Sequence, residues 1–311
     1  MLAALLTACM FAVSAVCGHR SATRLGGVEA NFWRICLATV FLTIWAVFFG
    51  GPIDVPSLPY FLLSGLFGIG FGDTAYFQAL TRLGSRRTVL ISQCFTPLFA
   101  ALIEWLWLGN TLHWTEILCI AVILGGVAIA LKPEDHITLS RRQWKLGIIA
   151  AVLAALGGAL GVVFSRKGFA WAHQVSGVYP DPGTSGYIRV VGGILGPTFL
   201  LLAVKWRSAR AHGPVWDQQT LQVSRDKWRS VWPWVLGNSL AGQTLGVTFM
   251  QLALAHTPAA IVTAITATTP LILMPMTRII DGEKICPRAL FGGLIGVGGV
   301  IALIFLRAKA A

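Results

Sequence analysis

Charge is what this sequence has least of. Only 12% of its 311 residues are Asp, Glu, Lys or Arg, about half the share that covers a soluble surface, so a water-facing globule is excluded. Carboxylates are scarcer still, with 12 Asp and Glu against 24 Lys and Arg, and there are 6 His. No HxxxH pair and no GxSxG elbow occurs, and acidic residues at depth are rare. The means for nucleophilic, paired-acid or metal-assisted chemistry are therefore missing. The expectation is no enzyme, no cofactor and no metal. The six cysteines (Cys9, Cys17, Cys36, Cys94, Cys119 and Cys286) contain no CxxC; they read as small apolar residues rather than a disulfide framework. No Lys or Arg precedes Arg20, so the first apolar run lacks the basic start of a signal peptide and reads as a retained span.

Long apolar runs are what is present. Hydrophobic residues make up 56% of the chain. They gather into ten segments of membrane-spanning length, roughly 1–18, 32–50, 59–80, 88–108, 114–131, 146–165, 184–204, 231–254, 258–277 and 288–306. Gly50-Gly51-Pro52, Lys132-Pro133-Glu134-Asp135 and Pro180-Asp181-Pro182-Gly183 punctuate them. Trp105, Trp107, Trp114, Trp206, Trp228, Trp232 and Trp234 fall near span ends, as an interfacial aromatic belt requires. The net charge of +12 lies in loops and at helix ends with no aromatic-interleaved basic face. The implied partner is a lipid bilayer and not nucleic acid.

The chain also repeats itself. Thr96-Pro97-Leu98 returns 173 residues later as Thr269-Pro270-Leu271. Gln78 and Gln251, Gly109 and Gly282, and Gly125-Gly126-Val127 and Gly298-Gly299-Val300 keep the same offset without a gap. Ten spans divide into five and five. Two odd-numbered copies must cross the membrane in opposite senses, so the expected fold is all-α and polytopic, with ten transmembrane helices in two inverted five-helix repeats. The halves are 1–132 and 146–311, joined by a linker over 133–145. The second half carries a basic stretch, 205–230, which reads as a solvated loop in preference to a surface helix. Loops after odd-numbered spans carry eighteen Lys and Arg; the other loops and the C-terminal tail carry four. The positive-inside rule then puts both termini outside the cytoplasm.

The run Gly72-Asp73-Thr74-Ala75-Tyr76-Phe77-Gln78-Ala79-Leu80, then Pro97, Gly109, Leu112 and Gly125-Gly126-Val127, resembles a ten-span member of the drug/metabolite transporter superfamily of the EamA-like permease type. Gln251, Leu254, Pro270, Gly282-Glu283 and Gly298-Gly299-Val300 continue the likeness in the second half. The resemblance implies a secondary transporter, an exporter of small metabolites, amino-acid-like or drug-like compounds. It would work by alternating access around a mid-membrane cavity in a bacterial cytoplasmic (inner) membrane, as a monomer or homodimer. It also implies cytoplasmic termini, against the charge distribution. A channel or a lipid-translocating protein is the alternative class, although no filter or charged ring is recognisable.

Site expectations start from the prolines. Pro97 frees the carbonyl of Gln93 and Pro270 that of Thr266, and in lipid a freed carbonyl must find a partner in protein or cavity water. The hydroxyls of Thr96 and Thr269 stand beside the broken turns. A cavity is therefore expected around Gln78, Gln251, Pro97, Pro270, Thr96 and Thr269, with Gln93, Asn238, Gln243 and Tyr76. Intramembrane charge is expensive and usually functional, which makes Asp73 and Glu104 candidates for proton coupling. Arg34 and Arg189, placed near the starts of their spans, read either as side chains snorkelling to headgroups or as gating residues. Glycines four apart (Gly68 and Gly72, Gly157 and Gly161, Gly192 and Gly196, Gly292 and Gly296) predict close helix packing.

Overall fold

A computed structural model describes residues 1–83, 85–131, 141–212, 218–281 and 287–310. Among them, fourteen α-helices and two π-helical segments make ten spans. Spans one and two are α1 (Leu2–Leu25) and α2 (Gly27–Phe48). The third joins α3 (Leu58–Gly65), a π-helical segment Leu66–Asp73 and α4 (Thr74–Leu83). Then come α5 (Ser85–Leu108), α6 (Trp114–Leu131) and α7 (Arg141–Ser176) as spans four to six. The seventh is α8 (Pro182–Gly193) followed by α9 (Leu195–His212). The eighth joins α10 (Gln218–Asn238), a second π-helical segment Ser239–Gly246 and α11 (Val247–His256). The ninth is split into α12 (Ala259–Thr266) and α13 (Thr269–Asp281), and α14 (Pro287–Ala310) is the tenth. Eight stretches are long and apolar enough to cross a membrane, and Trp114–Ala130 is a shorter apolar helix.

Several boundaries differ from expectation. The stretch 205–230 is not an extended loop: α9 runs to His212 and α10 starts at Gln218, leaving only 213–217 undescribed. The linker's last residues are the first turn of α7, whose 36 residues also take in Arg166 and Lys167, read earlier as loop residues. Helices outrun their apolar cores because polar residues are tolerated at the wet ends. Gly282, Glu283 and residues 132–140 lie outside the described residues.

The helix starts have local causes. The Asp181 carboxylate accepts from the backbone N–H of Thr184 (2.7 Å), and Pro182 occupies the first helical position of α8. Asp54 does the same for Ser57 ahead of α3 (3.0 Å). Gly109 ends α5 with φ at 70°, a left-handed position that favours glycine.

Glycine sets how closely the spans approach. The first π-helical segment is wrapped on two sides. A Cβ on Gly157 or Gly161 would strike the Cα of Gly72 or Gly68, and a Cβ on Gly193 or Gly196 would strike Ile69 or Gly70. The fifth and tenth spans meet at the glycine pair that marks both repeats. In each pair the first glycine, Gly125 or Gly298, faces open space, while the second, Gly126 or Gly299, faces the partner span. A Cβ on Gly126 would stand 2.6 Å from the carbonyl oxygen of Gly292.

This pairing separates two otherwise similar substitutions. Gly126→Ala forces backbone apart and should lower the thermal unfolding midpoint in detergent, by an overpacking penalty of about 1–3 kcal/mol. Gly125→Ala should leave it unchanged or raise it by the helix-propensity gain of roughly 1 kcal/mol. Equal midpoints for the two variants would contradict this packing.

Candidate functional site

The two π-helical segments lie in register with the sequence repeat. Leu66–Asp73 and Ser239–Gly246 are each eight residues long and separated by the same 173 residues as the Thr-Pro-Leu motifs. π-Helix is rare, usually a single turn, and concentrates at functional sites. Its occurrence at one position in both repeats, on sequences as different as LFGIGFGD and SLAGQTLG, makes it a property of the repeat's backbone. Nothing in a 3.6-residue periodicity distinguishes it. The signal available was glycine density, with Gly65, Gly68, Gly70 and Gly72 in one copy and Gly237, Gly242 and Gly246 in the other.

Polar side chains gather on and beside these segments. Asp73 closes the first and pairs with Arg34 of α2, Nη2 to Oδ2 at 3.2 Å. The same guanidinium donates to Asn31 Oδ1 (2.5 Å). Tyr76, half-buried one turn beyond Asp73, feels the charge of both. Arg34 and Arg189 are each seven residues into their helices, because α2 starts at Gly27 and α8 at Pro182. That is about 10 Å along the axis, too deep for the first-turn position expected of them. Arg189 is 5% exposed and lies beside Gly68, near the middle of the third span. It does not snorkel. On the second segment Ser239 is buried, and Ser239 Oγ, Gln243 Oε1 and Thr244 Oγ1 have no hydrogen-bond partner among the described residues. Asn238, just before it, accepts from Ser14 of α1 (2.6 Å).

The two glutamines do not share an environment. Gln78 is exposed, and its Oε1 accepts from Arg82 (2.6 Å) on the next turn of α4. Gln251 is 0% exposed, and neither amide atom of its side chain has a hydrogen-bond partner among the described residues. The prolines differ too. α5 runs unbroken through a buried Pro97, whereas the ninth span breaks at Ala267-Thr268 just ahead of Pro270. The Thr269 hydroxyl donates to the Thr266 carbonyl (2.6 Å), the one that Pro270 frees. Thr96 turns instead to Ser92 O (2.7 Å) and reaches Ala155 O of α7 (3.5 Å). Gln93, one turn before Pro97, is half-buried.

Glu104 stands apart from this group, at the end of the bundle opposite the basic loops. It is 2% exposed and serves the turn between spans eight and nine. Pro258, the residue ahead of α12, offers no side-chain cap. Glu104 Oε2 reaches from α5 to accept the N–H of Ala260 (3.4 Å), and Asn110 donates to Oε1 (3.2 Å). On the other side of the turn, Arg166 Nη1 donates to the carbonyls of Leu254 (2.9 Å) and Ala255 (2.6 Å), in the last turn of α11. A carboxylate at a helix start and a guanidinium at a helix end both complement the helix dipoles, and the two side chains are 3.9 Å apart. This clamp joins spans four and six to the turn of spans eight and nine. Its counterparts in the repeat are Thr277 for Glu104 and, at the offset that relates Arg34 to Arg189, Phe11 for Arg166, so these charges are not repeated in the sequence. All eight residues of α12 are buried, whereas Ile279 near the end of α13 is 84% exposed. Sequence reading missed Arg166 because it set the end of the sixth span eleven residues early.

Fold and site together define an all-α multi-span membrane protein of two inverted repeats, with polar and charged groups held at depth where the repeats meet. Residues 1–132 match the EamA-like transporter family. The whole chain shares its fold with a protein known from a crystal structure, with a TM-score of 0.72 at 14% identity over 99% of this chain and 97% of that one; at this identity the likeness is one of fold. No curated protein matches the chain. The family likeness therefore covers the first of the two repeats, and the solved structure extends the shared fold over the second.

The clamp gives a direct test. Hydrogen bonds to a charged group contribute about 1.5–3 kcal/mol each, so Arg166→Gln should raise the open-to-closed ratio at this end roughly tenfold or more. In a cysteine-free background, a cysteine at buried Ala259 should then react correspondingly faster with a membrane-impermeant maleimide. An unchanged rate would remove the clamp from the account.

Proposed function

We propose that this protein is a secondary transporter of the EamA-like type, an exporter of small organic metabolites, amino-acid-like or drug-like, working by alternating access in a bacterial cytoplasmic membrane. The observation that carries this reading is the pair of in-register π-helical segments. Each places a stretch of irregular backbone at equivalent depth in one repeat, and irregular backbone at membrane depth is tolerated only where protein buries it or it lines a water-filled cavity. Substrate sites of inverted-repeat carriers form from such discontinuous helices at the repeat interface. Gln243, Thr244, Asn238 and Gln251 from the second repeat, with Asp73, Tyr76, Gln93, Thr96 and Pro97 from the first, are the groups that would meet substrate there. Gln78, exposed and bound to Arg82, would meet it only in a different conformation.

In this cycle the Glu104–Arg166 clamp closes one end, and breaking it while the basic end closes completes the exchange. Asp73 is the coupling carboxylate: neutralising it by protonation would release Arg34, which it holds at 3.2 Å, and would loosen α2 from the third span.

The test is counterflow in proteoliposomes, with substrates taken from a metabolite panel that compares cells with and without the protein. Substrate-dependent counterflow is the expected result; conductance without counterflow would make the protein a channel. Asp73→Asn should keep counterflow and lose uphill transport together with its pH dependence. Uphill transport that survives in Asp73→Asn with its pH dependence intact would sink the coupling role.

A further inference from the structure

Among the described residues, none forms an ion pair or hydrogen bond with the Nε or Nη1 of buried Arg189. Ser185 Oγ, one turn earlier on the same face of α8, is also buried and also without a hydrogen-bond partner among the described residues. The guanidinium lies against the first π-helical segment, where a Cβ on Gly68 would come within 2.9 Å of its Nη2. Gly68 thereby leaves room for the arginine head against the helix backbone. Asp73, at the end of that segment, is near enough for its charge to act on Arg189, but it gives its ion pair to Arg34. Arg34 and Arg189 against Asp73 leave one positive charge in excess. An uncompensated charge at membrane depth is strongly unfavourable, and two orphaned donors beside it ask for an acceptor.

We propose that Arg189, with the Ser185 hydroxyl, binds the carboxylate of a monoanionic substrate, an inference that rests on the carrier reading and narrows its substrate class. A guanidinium presents its donors in a planar fork that matches a carboxylate. A single excess charge is neutralised by one carboxylate, whereas a phosphate dianion would overshoot it. Arg34 and Asp73, both part-exposed, form the side of the cluster from which the anion enters, and Arg189 forms its closed end.

The probes are benzoate, benzamide and inorganic phosphate, added to the full-length protein in detergent micelles, with thermal unfolding as the readout. Saturating benzoate should raise the midpoint by about 2–4 °C for each tenfold excess over its dissociation constant, while benzamide, of equal shape and no charge, should not. Arg189→Gln should abolish the benzoate shift. If that variant does not fold, Gly68→Ala serves instead: it keeps the charge, crowds the guanidinium and should weaken benzoate severalfold. Equal shifts from benzoate and benzamide, a full benzoate shift in Arg189→Gln or in Gly68→Ala, or phosphate matching benzoate would each overturn the assignment. Counterflow of an uncharged metabolite by a protein blind to benzoate would sink this inference and leave the carrier reading standing; loss of all counterflow would sink the carrier reading itself.

Discussion

Hydrocarbon offers no hydrogen bonds, so every backbone polar group of this chain must be answered from within the protein. That constraint makes the spans helical, and it makes each departure from the α-helix informative. Among the described residues the departures include two π-helical segments, the break at Ile194, the break at Ala267-Thr268 and the turn at Thr257-Pro258. Most of these are serviced. Glycines of spans six and seven enclose the first π-helical segment backbone to backbone. The Thr269 hydroxyl takes up the carbonyl that Pro270 orphans. Glu104 and Arg166 cap the helix ends on either side of the turn. A chain so short of charge has placed its buried charges where backbone is exposed or where two spans must be joined.

The two repeats share a backbone plan and differ in side chains. The plan holds in the register of the π-helical segments, in the depth of Arg34 and Arg189, and in the open and closed members of each glycine pair. The differences fall at the ends and the centre. A charged clamp fastens one end, and Thr277 and Phe11 occupy the corresponding places at the other. Gln78 is exposed and Gln251 sealed. Identical halves would give both ends equal strength and no preferred resting state. Here neither of the clamp's charges has a counterpart in the other repeat.

Much of the architecture was legible in the sequence because bilayer length and helix inversion are strict rules. Ten spans, the repeat, the close glycine faces and the service of Thr266 by Thr269 follow from apolar run length, an odd number of spans per copy and the chemistry of proline. The π-helical segments were not legible, since hydrophobic periodicity is too coarse to register one added residue per turn. The clamp was half legible: Glu104 announced itself as a carboxylate in an apolar run, but Arg166 was hidden by a helix that continues past its apolar core. The depth of Arg34 and Arg189 was misread for the mirror-image reason, because α2 and α8 start before their apolar runs do.

The central claim is that the ends of the bundle open alternately, with the clamp holding one shut. Spin-label distances measured across both ends in one protein test it most directly. One pair would stand at Trp114 and His256 on the clamped end, the other at Arg142 and Ile279 on the basic end, all four exposed. The account predicts that conditions which lengthen the first distance shorten the second. Two ends that open together, or a first distance that never lengthens, would contradict it.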